Sequence, residues 1–231
     1  MNKSGNGGKL ADVGAVYLGS HPLFRGLDPG ALERLARYMR HTSARKGQIL
    51  FRKGDEGSFL MILVEGSVKI AAPTEDGREA LFNILRRGEM FGEIAVLDGQ
   101  PRTADAIALT DCSLLMLNRR DVVVFLEQNP QVALQFISVL CRTVRHTSER
   151  LESVMFLGVT ARLARALRTF KDEKDEITLT QRELGQIIGS SRESVNQKLK
   201  AWETQNWVRL EKGRILIVDV AALDRLRNES D

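Results

Sequence analysis

Short apolar runs punctuated by glycine fill the chain from about residue 39 to 126. Ile49-Leu50-Phe51, Leu60-Met61-Ile62-Leu63-Val64, Val68-Lys69-Ile70 and Leu81-Phe82-Asn83-Ile84-Leu85 alternate with Gly47, Gly54, Gly57, Gly66, Gly77 and Gly88. Runs of that length between turn residues predict many short strands in a small barrel or roll. A further strand pair is expected near 105–108 and 113–117. Upstream, Asp28-Pro29 ahead of leucines at helical spacing predicts a short capped helix, with Pro29 at its first position.

The period then changes. Asn129-Pro130 opens a helix expected to run to about Phe156, in which Ala133, Ile137, Leu140, Val144, Thr147, Leu151 and Val154 are spaced alternately by four and three. Such a seam pairs helices in coiled-coil fashion and predicts a homodimer. Val132, Phe136 and Val139 form a second apolar set suited to the β domain. Thr147 puts a hydroxyl where an aliphatic group would pack better, with Ser148 beside it. A polar group in a seam is costly without a partner, so both are expected to reach a ligand held at the subunit interface.

Beyond Gly158 the pattern is that of a small helical domain. Residues 159–168 form a helix with leucines on one side and arginines on another, and the charged run 171–176 reads as a solvated loop. Thr180-Gln181-Arg182-Glu183 is a capping box: a hydroxyl and a carboxylate three residues on satisfy the first N–H groups of a helix. That helix ends at Gly189, and Ser190-Ser191 starts a second one, giving a helix-turn-helix. Trp202 and Trp207 are expected in its core, and 208–218, turning at Lys212-Gly213, reads as a hairpin wing.

The 231 residues suffice for two modest domains. A net charge of +4 is compatible with nucleic acid but weak on its own. Cys112 and Cys141 lie in apolar runs and suit a reducing cytoplasm. The polar, Gly-rich start lacks the apolar core of a secretion signal, and no run approaches the ~20 apolar residues of a membrane helix. A cytoplasmic location is expected.

Candidate chemistry gathers in 91–104. Gly92 lets a backbone come close to a ligand. Arg102 offers a planar fork of donors suited to a phosphate, with the Thr103 hydroxyl beside it. Glu93, when ionised, only accepts hydrogen bonds, which suits a sugar hydroxyl. One helical turn at 93–96 would add a favourable field for an anion. An anion, a ribose and a close fit describe a small nucleotide. In the second helix of the helix-turn-helix, Arg192, Glu193, Asn196 and Gln197 are groups able to read base edges. Ser191, Ser194, Lys198, Lys200, Arg182 and Arg214 are candidate phosphate contacts. Neither a metal cluster nor an activated nucleophile accompanies Arg102, so a hydrolase is not expected.

From about residue 20 to 219 the chain resembles the bacterial cAMP receptor protein (catabolite activator) family of transcription regulators. The resemblance rests on 91–104, on Thr147-Ser148-Glu149, on Phe156-Leu157-Gly158-Val159-Thr160-Ala161-Arg162 and on 185–195. It implies an α+β chain: a tail at 1–19, a cyclic-nucleotide-binding β-roll at 20–128, a dimerisation helix and hinge at 129–157, and a winged helix-turn-helix at 158–231. It further implies that Gly92, Glu93, Ile94, Ala95, Arg102, Thr103 and Ala104 bind the cyclic nucleotide, with Thr147 and Ser148 at the base, one of them from the partner subunit. Thr160 would join the phosphate contacts to DNA. The implied ligand is cAMP, or cGMP, for which a hydroxyl such as Thr103 often serves; the implied partners are a second copy, a palindromic operator and RNA polymerase.

The departures are specific. Gln197 stands where the best-known member has arginine, and 171–176 is shorter and more charged than its polymerase-touching loop. The cysteine cluster of the fumarate-nitrate relatives is missing, and His21, His41 and His146 offer no heme-ligand pattern, so no metal, heme or iron–sulfur cluster is expected. The alternatives are a regulator of the same fold with another effector, such as a cyclic dinucleotide, or none, and a regulatory cyclic-nucleotide domain of another system.

Overall fold

The structure, a computed structural model, describes Leu18, Phe24 and residues 27–73 and 79–226. The expected tail at 1–19 lies outside the described residues except for Leu18, which is buried. In order, the elements are α1 (Pro29–Tyr38), β1 (Arg40–Ala44), β2 (Ile49–Phe51), β3 (Phe59–Glu65), β4 (Val68–Pro73), β5 (Glu79–Leu85), β6 (Met90–Phe91), α2 (Glu93–Asp98), β7 (Asp105–Ala108), β8 (Cys112–Asn118), α3 (Arg119–Gln128) and α4 (Pro130–Phe156). There follow α5 (Val159–Phe170), β9 (Glu176–Ile177), α6 (Gln181–Ile188), α7 (Arg192–Thr204), β10 (Val208–Glu211), β11 (Arg214–Ile217) and α8 (Val220–Leu226). Two compact units result: residues up to Arg78 with Phe82–Arg142, and Glu79–Leu81 with the chain from Thr143 onward.

The first unit is a roll of two four-stranded sheets, ordered β1-β8-β3-β6 and β2-β7-β4-β5. β3 explains how the roll is filled. Its alternate residues Met61 and Leu63 join Phe51, Phe91, Ala106 and Leu114 in one core, while Leu60 and Ile62 join Val96, Val122, Phe125, Val132 and Phe136 in another. A strand covered on both faces must be apolar at every position, which is why its sequence is a continuous run. Val132 and Phe136 thus pack on the β domain, as their spacing predicted.

One local expectation needs correction, and two elements are present that no local pattern predicts. β7 and β8 exist at the expected places but do not pair with each other: β7 lies between β2 and β4, and β8 between β1 and β3. β1 has no strand signature in the sequence, because Arg40-His41-Thr42-Ser43 is an edge strand with no apolar alternation. The segment before the long helix is itself helical, α3, whose Val122 and Phe125 alone are buried.

In the second unit α5, α6, α7 and α8 surround a core of Leu163, Leu167, Leu184, Val195, Leu199, Trp202 and Leu223, closed by the sheet β10-β11-β9. Thr180 and Glu183 form the capping box reciprocally, Gly189 ends α6 at φ +64°, and Trp202 is buried with Trp207 partly so. The charged run 171–176, expected as a solvated loop, is tied by its own side chains. Asp172 accepts from the backbone N–H of Lys174 and Glu176 (2.8 and 2.9 Å), and Lys171 pairs with Asp175, so the run is a tied turn feeding β9. No described helix is long and apolar enough to cross a membrane.

Candidate functional site

The stretch from Phe91 to Ala104 leaves β6, makes the one and a half turns of α2 and returns into β7. Gly92 (φ +78°) and Gly99 (φ +73°) bracket α2 in the left-handed region, which costs other residues steric strain. The C-terminal carbonyl of Val96 accepts from Arg119 Nε at 2.9 Å, satisfying one group that a helix end leaves open. Ala95 and Val96 are buried against the roll and Ile94 is exposed.

Arg102 closes the loop. Its backbone N–H donates to Asp55 (2.8 Å) and its carbonyl accepts from Gly54 (2.9 Å), fixing it on the turn after β2. Its side chain then runs inward until the residue is only 3% exposed. Nη1 donates to the Gly92 carbonyl at 2.7 Å and Nη2 to the Phe59 carbonyl at 2.5 Å. Nε is buried without a partner. No described carboxylate lies within ion-pairing distance; Asp55 and Glu93 act on it only through their field. Burial pushes the guanidinium below its ordinary value, and those two charges pull it back up. Glu93, partly buried in the first turn of α2, is pushed above the ordinary carboxylate range by burial, opposed by its own backbone N–H and by Arg102.

Gly92, Glu93, Ile94, Ala95, Arg102, Thr103 and Ala104 are therefore one local assembly, with the Thr103 hydroxyl exposed and Ala104 buried beside Arg102. Thr147 and Ser148 are exposed on the part of α4 that belongs to the second unit. The Thr147 hydroxyl donates to the Thr143 carbonyl at 2.8 Å. Phe51, Gly57 and Phe59 surround the assembly and were not legible as site residues: each sits in an ordinary strand or turn pattern, and nothing local marks it.

In the second unit, Val195, Leu199 and Trp202 bury one side of α7, leaving Glu193, Gln197 and Lys200 exposed at helical spacing, with Asn196 half-buried beside them. Ser191 caps α7 by accepting from the Ser194 N–H at 3.1 Å. Arg192 is exposed in the first turn; the Glu193 carboxyl is held below its usual range by its own backbone N–H, by Ser191 and by Arg192. A Cβ on Gly185 would lie 2.8 Å from the Ser190 carbonyl oxygen, so this glycine permits the tight turn between α6 and α7. Thr160 is half-buried in the first turn of α5, Arg182 is exposed in that of α6, and Lys198 is half-buried on α7. Arg214, exposed on the wing, pairs with Glu176 and Glu211. Lys212, at the hairpin turn, is exposed.

Comparison with known proteins decides the family. The cyclic nucleotide-binding domain matches residues 41–129 and the Crp-like helix-turn-helix domain matches 161–226. The CRP-like cAMP-activated global transcriptional regulator of Mycobacterium tuberculosis is 32% identical over 212 residues, covering 88% of this chain and 95% of that protein. The chain belongs to the CRP family of transcription regulators. Like other CRP-family proteins it is a cyclic-nucleotide-binding transcription regulator and not an enzyme. The catabolite activator protein of Thermus thermophilus is 30% identical with a TM-score of 0.54, covering 89% of this chain and 98% of its own. The c-di-GMP responsive global regulator of Xanthomonas campestris shares the fold at 22% identity and a TM-score of 0.72, covering 82% of this chain and 99% of its own.

Proposed function

We propose that this CRP-family chain is a homodimer whose grip on a palindromic operator is selected by a cyclic mononucleotide, cAMP before cGMP. One observation carries the reading: the guanidinium of Arg102 is buried, without an ion pair, and holds an unpartnered N–H at Nε. A buried charge left in that state is unfavourable unless something neutralises it. A singly charged cyclic phosphate is of the right charge and acceptor chemistry. Glu93, ionised, accepts from a ribose hydroxyl on the same loop.

Preference for adenine has its own support. The Thr147 hydroxyl hydrogen is spent on Thr143, so its oxygen is left as an acceptor. Facing position 6 of the base, an acceptor complements the amino group of adenine and opposes the carbonyl oxygen of guanine. The dimer is supported by Ile137, Val144, Leu151 and Val154, which are all more than half exposed along the seam. In DNA reading, Arg192, Glu193, Asn196 and Gln197 face base edges, while Thr160, Arg182, Ser191, Ser194, Lys198 and Lys200 meet phosphates. Arg214, exposed on the wing, joins these phosphate contacts.

Calorimetric titration of wild type and Arg102→Ala with cAMP and cGMP, followed by operator binding with each nucleotide, tests the reading. Wild type should bind cAMP and tighten on the operator by roughly 5–150-fold, a typical allosteric coupling. Arg102→Ala should do neither; equal titrations of the two proteins would overturn the assignment.

A further inference from the structure

The corner in which Arg102 lies is built of aromatic faces. Its guanidinium carbon is 4.2 Å from the Phe51 ring centroid and 4.7 Å from that of Phe59. The two rings meet edge to face, 6.2 Å apart at 64°, and Phe51 is held from behind by Phe91 at 6.0 Å. A cation taken out of water usually finds a carboxylate. Such a partner would cancel its charge and occupy its N–H groups, leaving little for a phosphate. An aromatic face attracts the cation through its quadrupole and takes no N–H donor. The carbonyls of Gly92 and Phe59 then orient the fork without neutralising it.

We propose that Phe51 and Phe59 are positioning residues for phosphate recognition: together they keep the Arg102 guanidinium buried and oriented while leaving its charge uncancelled for the anion. This rests on the reading of Arg102 as the phosphate-binding group. The division of labour is specific. Phe59 supplies both a ring face and, through its backbone, a hydrogen-bond acceptor, so only its ring contribution is lost on substitution. Phe51 supplies a ring alone and is anchored in the core between the sheets.

The test uses the full-length protein and cAMP as the probe. Phe51→Leu and Phe59→Leu should each weaken cAMP binding by about 2–30-fold, the range of cation–π contacts from exposed to desolvated. Because a buried leucine can also disturb packing, 3,4,5-trifluorophenylalanine is placed at position 59 as well, which withdraws electron density from the ring face and nearly conserves its shape. Affinity should fall with fluorination while the thermal midpoint without ligand stays that of wild type, whereas Phe59→Tyr should bind as wild type does. Unchanged affinity in the fluorinated protein, with wild type binding and Arg102→Ala silent, overturns the aromatic corner alone. Arg102→Ala binding as well as wild type, or no binding by wild type, overturns the phosphate reading and the corner with it.

Discussion

A Cβ placed on Gly57 would lie 2.4 Å from the Cβ of Ala95 and 2.8 Å from its carbonyl oxygen. The turn before β3 therefore presses on the helix that carries Glu93, and the seat of that helix depends on one missing methyl group. Gly57→Ala should force α2 outward, because the obstruction is the Cβ and backbone of Ala95, neither of which can rotate away. Overpacking of this kind costs about 1–3 kcal/mol, read as a loss of unfolding free energy in urea. Cyclic-nucleotide affinity should fall with it. A variant as stable as wild type, with equal affinity, would show that α2 is free to slide.

Glu93 carries a pH signature. Burial raises its pKa in the folded protein, so ionisation costs more there than in the unfolded chain. The sign follows from linkage: the cost is absent below the ordinary carboxylate value, sets in as pH rises towards the raised folded value, and is complete above it. Glu93→Gln should thus be more stable than wild type at pH 7, with the difference closing below about pH 4. It should also bind cAMP about 1 kcal/mol more weakly, the difference between a charged and a neutral acceptor. Denaturation at several pH values checks this; a Gln variant less stable than wild type at pH 7 would contradict it.

Leu151 is 60% exposed on the α4 seam. Leu151→Glu sets two like charges against each other in a paired-helix seam, so sedimentation at micromolar concentration should find monomers where wild type is dimeric. Operator affinity should drop with dimerisation, as each half-site would be bound singly. A Glu variant that sediments as wild type does would place the dimer contact elsewhere.

As proposed base readers, Arg192 and Gln197 each make a prediction about base choice. Arg192→Ala should lose about 1–3 kcal/mol of discrimination between operator and scrambled DNA. Gln197→Arg should move the preferred base at one position of each half-site from adenine towards guanine. Binding measured across an operator set substituted base by base reads both, and an unaltered preference in both variants would remove α7 from the groove.

Much of this chain could be read because its rules are local. The capping box at Thr180, the glycine that ends α6 and the turn at Lys212-Gly213 are each decided by neighbours within four residues. The seam of α4 is similarly a matter of spacing along one helix. Local rules failed where burial came from distant elements. β1 is polar and is held by its pairing with β8, α3 shows few buried positions, and α8 packs through Leu223 onto residues some 60 positions earlier, Leu163 among them.

By itself the sequence determined a small barrel or roll of short strands, the long helix and the helix-turn-helix, since residue type and spacing suffice for each, and it put Gly92, Glu93 and Arg102 in one stretch that resembles a cyclic-nucleotide site. Only the tertiary structure decided what surrounds the arginine. That Phe51 and Phe59, some 40–50 residues upstream, provide its walls, and that Gly57 presses on Ala95, follows from which strands the roll brings side by side. Such proximities depend on closing long loops around a shared core, and no pattern within one segment encodes them.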